Sequence, residues 1–199
     1  MCQFIETICY ENGSFQRIEL HNKRCNRTRA HFFGNQPEVR LELLLSIPIH
    51  LVHDTVKCTV TYGIEILNIE YVKYTIRPIN SLQLVTDNTI DYSFKYADRS
   101  KLAILGYKKM EHDDILIVKN GLITDTSYAN AIYLYKNTWY SQKIPLLMGT
   151  RLQRYLQEGR VTPALLTPND LFRFSEVRII NAMISIENSP VIPIEAIYC

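Results

Sequence analysis

The chain lacks any C-x-x-C pair, any internal repeat and any long hydrophobic run, and each absence removes a class of protein. Its five cysteines (Cys2, Cys9, Cys25, Cys58 and Cys199) are odd in number and scattered. That argues against a disulfide framework or a structural metal and fits thiols kept in a reducing cytosol. Cys199 ends the chain, so it forms no prenylation box. The longest nearly uncharged stretch, Leu43 to Val52, is half of the about 20 residues that a bilayer-spanning helix needs, and Ser46, Pro48 and His50 interrupt it. Glu6 stops any apolar run at the start, so no secretory signal is expected. Glycine and proline are sparse, 7 and 8 in 199 residues, which excludes collagen-like and Pro-rich linker chains. Charge of one sign is lacking too: 22 Lys+Arg against 20 Asp+Glu leave +2, too little to mark a nucleic-acid surface. What is present, 47% apolar and 21% charged residues, suits a cytoplasmic globular chain of one large or two small domains.

The secondary-structure rhythm divides the chain. Residues 3–10 and 15–20 flank Glu11-Asn-Gly13-Ser14 and predict a hairpin. An Arg-rich helix is expected over 21–33, stopped by Gly34, and a second apolar helix over 38–46, ended by Pro48. From Val56 to Val85 β-branched and aromatic residues predict about three strands. A helix over 98–110 follows, with Leu102, Leu105 and Met110 on one face, then a strand at 115–118 and the turn Asn120-Gly121. A hairpin about Lys136-Asn137, a helix over 149–158, a capped short helix at Thr167-Pro-Asn-Asp170 and strands at 177–186 and 191–197 complete the pattern. The expected architecture is α+β with two lobes, residues 1–93 and 94–199.

Three segments combine residues that a packed core does not need. Lys95 stands among aromatics in Tyr92-Ser-Phe94-Lys95-Tyr96. A partly desolvated ammonium becomes a nucleophile toward carbonyls, whereas a surface lysine simply covers the rings with its stem. Asp125 and Asn130 lie just beyond the turn at Gly121, where a carboxylate either holds a proton on a ring nitrogen or caps the turn. Gly149 and Thr150 open a helix, which makes an anion site from backbone N–H groups or an ordinary cap.

Together, the order and spacing of these segments resemble the class IV aminotransferases, the fold-type-IV pyridoxal-phosphate enzymes. Phe4-Ile-Glu-Thr-Ile8, Gly13 and Leu20-His21-Asn-Lys-Arg24 are similar to that family's "F-E-T-I … G … L-x-x-H-x-x-R" opening. Phe94-Lys95-Tyr96-Ala-Asp-Arg99 resembles its lysine segment, and Gly121-Leu-Ile-Thr-Asp125-Thr-Ser-Tyr-Ala-Asn130 its cofactor-ring segment. Pro145-Leu-Leu-Met-Gly149-Thr150-Arg151 and Ile180-Asn181-Ala182-Met183 resemble its phosphate-side loops. The match covers nearly the whole chain.

The resemblance implies a small α/β sandwich lobe and a pseudo-barrel lobe, like those of D-amino-acid aminotransferase, and pyridoxal 5'-phosphate as cofactor with no metal. It implies that Lys95 carries the cofactor as a Schiff base and shuttles the substrate's α-proton. Asp125 would keep the pyridine nitrogen protonated where many relatives use Glu, with Asn130 beside it. Arg24, Gly149, Thr150, Asn181 and Ala182 would hold the phosphate, although Arg24 could equally belong to a solvated face with Lys23, Arg27 and Arg29. A homodimer acting on a small amino-group substrate is expected. Relatives carry about two dozen residues before the "F-E-T" strand, including a pocket-shaping "Y-G-D-G" turn, and here that strand begins at residue 4. This departure favours a 4-amino-4-deoxychorismate lyase-like activity, a β-elimination giving 4-aminobenzoate and pyruvate. The alternatives are an aminotransferase for branched-chain or D-amino acids and a cofactor-binding relative without catalysis. Arg77 and Arg99 are candidates either for a substrate-carboxylate anchor or for surface ion pairs.

Overall fold

The computed structural model describes residues 2–199 and divides into two units, Met1–Thr75 with Phe94–Asp98, and Ile76–Ser93 with Arg99–Cys199. The boundary expected at residues 93–94 therefore moves. Residues 76–93 join the second unit because their strand pairs in parallel with Asp114–Lys119, from Leu82 opposite Asp114 to Thr86 opposite Val118. Residues 94–98, expected to open the second lobe, belong to the first.

Among the described residues, the first unit forms a four-stranded antiparallel sheet from β1 (Phe4–Glu11), β2 (Ser14–Phe15), β3 (Val56–Tyr62) and β4 (Ile66–Lys73), in the order β2-β1-β3-β4. Strand alternation puts Phe4, Glu6, Ile8 and Tyr10 on one buried face with Val56, Cys58, Val60 and Tyr62. Helix α1 (Ile18–Phe33) buries Leu20, His21, Arg24, Cys25, Thr28 and Arg29, the i, i+4, i+8 spacing of a helical stripe. Cys25 joins Phe4, Ile8, Cys58, Val60 and Tyr62 in the core, while Phe32 packs against Phe4 at a tilt, with ring centroids 4.7 Å apart. Each such fully buried apolar side chain contributes about 1.5–3 kcal/mol.

Three expectations for this unit are corrected. The strand over 15–20 is only Ser14–Phe15, because Arg17 turns the chain at φ 53° and α1 starts at Ile18. The helix over 38–46 is a single 3-10 turn, Leu41–Leu43. Asparagine side chains of α1 take its backbone groups: Leu41 N–H donates to Asn22 Oδ1 (2.9 Å) and Val39 N–H to Asn26 Oδ1 (2.8 Å). Leu41 and Leu45 then reach the core and Leu43 stays exposed. The arginines of α1 do not share one fate either. Arg29 donates to the carbonyls of Ile64 (2.9 and 2.7 Å) and Pro37 (2.6 Å), so it ties down the β3–β4 turn.

The second unit is a mixed sheet. β5 (Leu82–Thr86), β6 (Asp114–Lys119), β7 (Leu122–Thr126), β8 (Asn130–Tyr135), β9 (Thr138–Gln142) and β10 (Val161–Ala164) adjoin in order, with β13 (Ile197–Tyr198) beside β5. β11 (Glu176–Ile180) pairs with both β8 and β12 (Val191–Pro193), so β8 is a branch point. The hairpin turns fall as expected, at Asn120-Gly121 (φ 52° and 76°) and Lys136-Asn137 (φ 44° and 63°). Two left-handed residues in succession match the strand twist.

Helix α2 (Ser100–Gly106) buries Leu102 and Leu105, but tightens into a 3-10 turn at Tyr107–Lys109 and leaves Met110 exposed, off the expected face. α3 (Thr150–Gln157) is the helix expected over 149–158. Thr167 N–H and Oγ1–H both donate to Asp170 Oδ2 (2.9 and 2.8 Å) and open the 3-10 helix Pro168–Arg173. The strand expected over 177–186 stops at Ile180, where Asn181 begins a turn. The strand expected over 191–197 is broken at residues 194–196. No helix among the described residues is long and apolar enough to cross a membrane.

Candidate functional site

In the second unit, Asp125 and Asn130 sit opposite each other on β7 and β8 and are both buried. A carboxylate removed from water needs donors to replace its hydration. Asn130 Nδ2 donates to Asp125 Oδ1 (2.8 Å), and Leu147 N–H donates to Asp125 Oδ2 (2.9 Å). Asn130 Nδ2 also reaches the Leu147 carbonyl (2.9 Å), so the carboxylate and the amide together fix the loop that leads into α3. Gly149 follows at once. A Cβ there would collide with Asn130 Oδ1, and this close approach selects glycine.

Thr150, buried, is the first residue of α3, and the first N–H groups of a helix have no partner within it. The next residue links the two segments expected on the phosphate side. Arg151 donates from Nε to the Asn181 carbonyl (2.8 Å) and from Nη2 to the Ala182 carbonyl (3.1 Å). Asn181 Oδ1 in turn accepts from Met183 N–H (2.8 Å) and Ile184 N–H (3.0 Å), which closes the turn after β11. Asp125 and Asn130 are thus bonded to the loop before α3 and Asn181 and Ala182 to its Arg151, with Gly149 and Thr150 on the chain between the two sets of bonds. In the sequence, the signal for Arg151 is its place one residue into a helix after a required glycine.

Arg99 and Arg77 lie in the same unit. Arg99 Nη2 donates to the Ser127 carbonyl (2.7 Å), and the Arg77 guanidinium lies over the Tyr128 ring at 5.4 Å from its centroid. Asp114, nearby in electrostatic range of Arg77, has its carboxyl pushed up by burial.

In the first unit, Lys95 is half-buried and its backbone is held on the open edge of β1. Ile5 N–H donates to the Lys95 carbonyl (2.9 Å), Ala97 N–H donates to the Gln3 carbonyl (2.9 Å), and Tyr96 bridges Phe4. Phe94 and Tyr96, on either side, join the ring cluster of Phe4 and Phe32, with Phe94 4.9 Å from Phe32 and Tyr96 5.2 Å from Phe4. The backbone of Lys95 is thus anchored to β1 while its two neighbours pack into the ring cluster.

Arg24 is 8% exposed, so it is no part of a solvated face. Its Nε and Nη2 donate to Glu6 Oε1 (2.8 Å) and Oε2 (2.6 Å), and His21 Nδ1 lies 2.5 Å from Glu6 Oε2. Burial raises the Glu6 pKa, but the Arg24 charge and the hydrogen bonds from His21 and Arg24 outweigh it and bring the pKa down to about 2. For His21, burial outweighs the pull of Glu6 and lowers the pKa below its ordinary 6.5. A neutral ring that donates Nδ1–H to the carboxylate follows. Glu6 and His21 both stand in the opening motif but were assigned nothing from sequence.

No family model matches the chain. An uncharacterised protein of Haemophilus influenzae is 35% identical over 185 residues, which span 92% of this chain and 98% of that one. Among solved structures, a candidate 4-amino-4-deoxychorismate lyase from Haemophilus somnus 129pt superposes with a TM-score of 0.87 at 28% identity, over 92% of this chain and 97% of that one. A hypothetical aminotransferase from Mycobacterium tuberculosis in its PLP-bound form has a TM-score of 0.72 at 14% identity, over 96% and 80%, and shares the fold. The chain belongs to the fold-type-IV family of class IV aminotransferases and 4-amino-4-deoxychorismate lyase-like proteins.

Two outcomes follow from this geometry. Gly149→Ala should displace Asn130, strip a donor from buried Asp125 and destabilise the second unit by about 1–3 kcal/mol. Urea unfolding followed by the fluorescence of Trp139, the single tryptophan, which stands in that unit, measures it. The first unit should lose stability in acid. Glu6 has a folded pKa depressed below its ordinary 4.5, so its contribution is complete above 4.5 and lost as pH falls toward 2. His21 is also depressed, and its contribution is lost as pH falls below 6.5. The protection factors of the β1 and α1 amides, exchange rates divided out for the pH dependence of the unprotected amide, should therefore fall below pH 6.5, and His21→Asn should flatten the first part of that dependence.

Proposed function

We propose that this chain is a pyridoxal 5'-phosphate-dependent enzyme of the 4-amino-4-deoxychorismate lyase type, cleaving its substrate to 4-aminobenzoate and pyruvate. The observation that carries the reading is the likeness to the Haemophilus somnus candidate lyase, extending over nearly the full length of both chains at 28% identity. The donor set supports it independently. A buried carboxylate and a glycine-opened helix start with a hydroxyl in the second unit, and a guanidinium held in a fixed plane and a lysine whose backbone is pinned to β1 in the first, suit a phosphorylated pyridine aldehyde.

The cofactor, when bound, supplies an electron sink for the carbanion formed at the substrate's amino-bearing carbon. Lys95 Nζ would be the group that holds the cofactor's aldehyde and the base that moves the substrate's α-proton. Asp125 keeps a proton on the pyridine nitrogen; Asn130 and the Leu147 N–H hold its carboxylate in place. Thr150, the α3 N-terminus and the 181–182 turn accept the phosphate, with Arg24 as the fork donor. A homodimer is part of the same reading.

Incubation with aminodeoxychorismate tests the proposal. The expected result is stoichiometric 4-aminobenzoate and pyruvate, with borohydride trapping of the cofactor on the Lys95 peptide. Conversion of the cofactor to its amine form by branched-chain or D-amino acids, with no pyruvate from aminodeoxychorismate, would make the chain an aminotransferase. An adduct on Lys101, Lys108 or Lys109 would overturn the role of Lys95.

A further inference from the structure

Glu6 and His21 are fully buried, yet the proposed function gives neither a task. Apolar residues surround them: Phe4 and Ile8 flank Glu6 on the inward face of β1, and Cys25 lies beside Arg24 on α1. A buried ion pair is a poor way to stabilise such a core, since apolar residues of similar volume do as well or better. What it gives is direction. The two oxygens of Glu6 receive Nε and Nη2 of Arg24 along one edge of the planar guanidinium, and two parallel bonds fix that plane where one would leave it free to swing. His21, one helical turn before Arg24, bonds the same Oε2 and fixes the carboxylate from the α1 side. Strand and helix therefore both hold the arginine's head group before any ligand arrives.

We propose that Glu6, steadied by His21, is a positioning residue that presets the Arg24 guanidinium for the phosphate of the cofactor. The proposal rests on the reading that Arg24 binds that phosphate. An arginine already locked in place gives up little rotamer freedom on binding, and the gain falls on the phosphate alone. His21, kept neutral by burial, adds no second positive charge, so orientation rather than added charge is the contribution of the pair.

The discriminating readout is the ratio of dissociation constants for pyridoxal 5'-phosphate and pyridoxal, which differ only in the phosphate, measured by absorbance titration of the purified chain. Glu6→Gln should weaken pyridoxal 5'-phosphate binding about tenfold or more and leave pyridoxal within about twofold. If both affinities fall together, Glu6 is merely structural; if neither falls, Arg24 needs no positioning. Either result overturns the proposal. Should Glu6→Gln not fold, Glu6→Asp keeps the charge and withdraws it by one methylene. A severalfold rise in the ratio then supports positioning, and an unchanged ratio overturns it. A wild-type protein that binds pyridoxal 5'-phosphate no tighter than pyridoxal overturns the phosphate assignment itself, which separates that failure from this one.

Discussion

The buried carboxylate of Asp125 is the constraint from which the rest of the second unit's assembly follows. An ionised oxygen pair inside a protein must be met by donors, and here the donors are an amide one strand over and a backbone N–H in the next loop. Meeting that need draws residue 147 against β8. This leaves no room for a side chain at 149 and starts α3 at Thr150. Arg151 then reaches the carbonyls of Asn181 and Ala182 and brings the turn after β11 to the same helix start. Each step constrains the next, and polar contacts gather three stretches of chain, 125–130, 147–151 and 181–182.

The first unit treats buried charge differently. Glu6 meets a formal counter-charge in Arg24 and a neutral donor in His21, and the carboxyl is held down near 2 as a result. Such a pair contributes little net stability, but removing one partner leaves the other uncompensated, at a cost of about 3–5 kcal/mol. Positive charges that look alike in sequence therefore have separate duties. Arg24 is locked to a carboxylate, Arg29 closes a turn through carbonyls, and Lys23 and Arg27 remain at the surface.

Much of this was legible in the residues because the local signals are strong. Asn120-Gly121, Lys136-Asn137 and the Thr167–Asp170 capping box fall where their turn chemistry puts them. The segments around Asp125, Gly149 and Asn181 were singled out for polar groups that a core does not need. The errors share a cause, which is side chains competing for backbone groups. Asn26 reaches across from α1 and takes the carbonyl of Val39, which the helix expected over 38–46 would have used, and Asn181 ends a strand that its apolar neighbours would continue. The domain boundary failed for another reason. Tyr96 returns to pair with Phe4, a long-range bridge that no local pattern announces. Arg24 looked like one of four solvated cations, and only Glu6 on the facing strand shows otherwise.

The account turns on Asp125 as the partner of a pyridine nitrogen, and the protonation of that nitrogen is directly measurable. Pyridoxal 5'-phosphate labelled with nitrogen-15 in the ring, bound to the purified protein, reports it by NMR. A ring nitrogen protonated in the wild type and unprotonated in Asp125→Asn, with the cofactor still attached at Lys95, is the predicted result. A nitrogen whose protonation is the same in both proteins would contradict the account and leave Asp125 as the anchor of a loop.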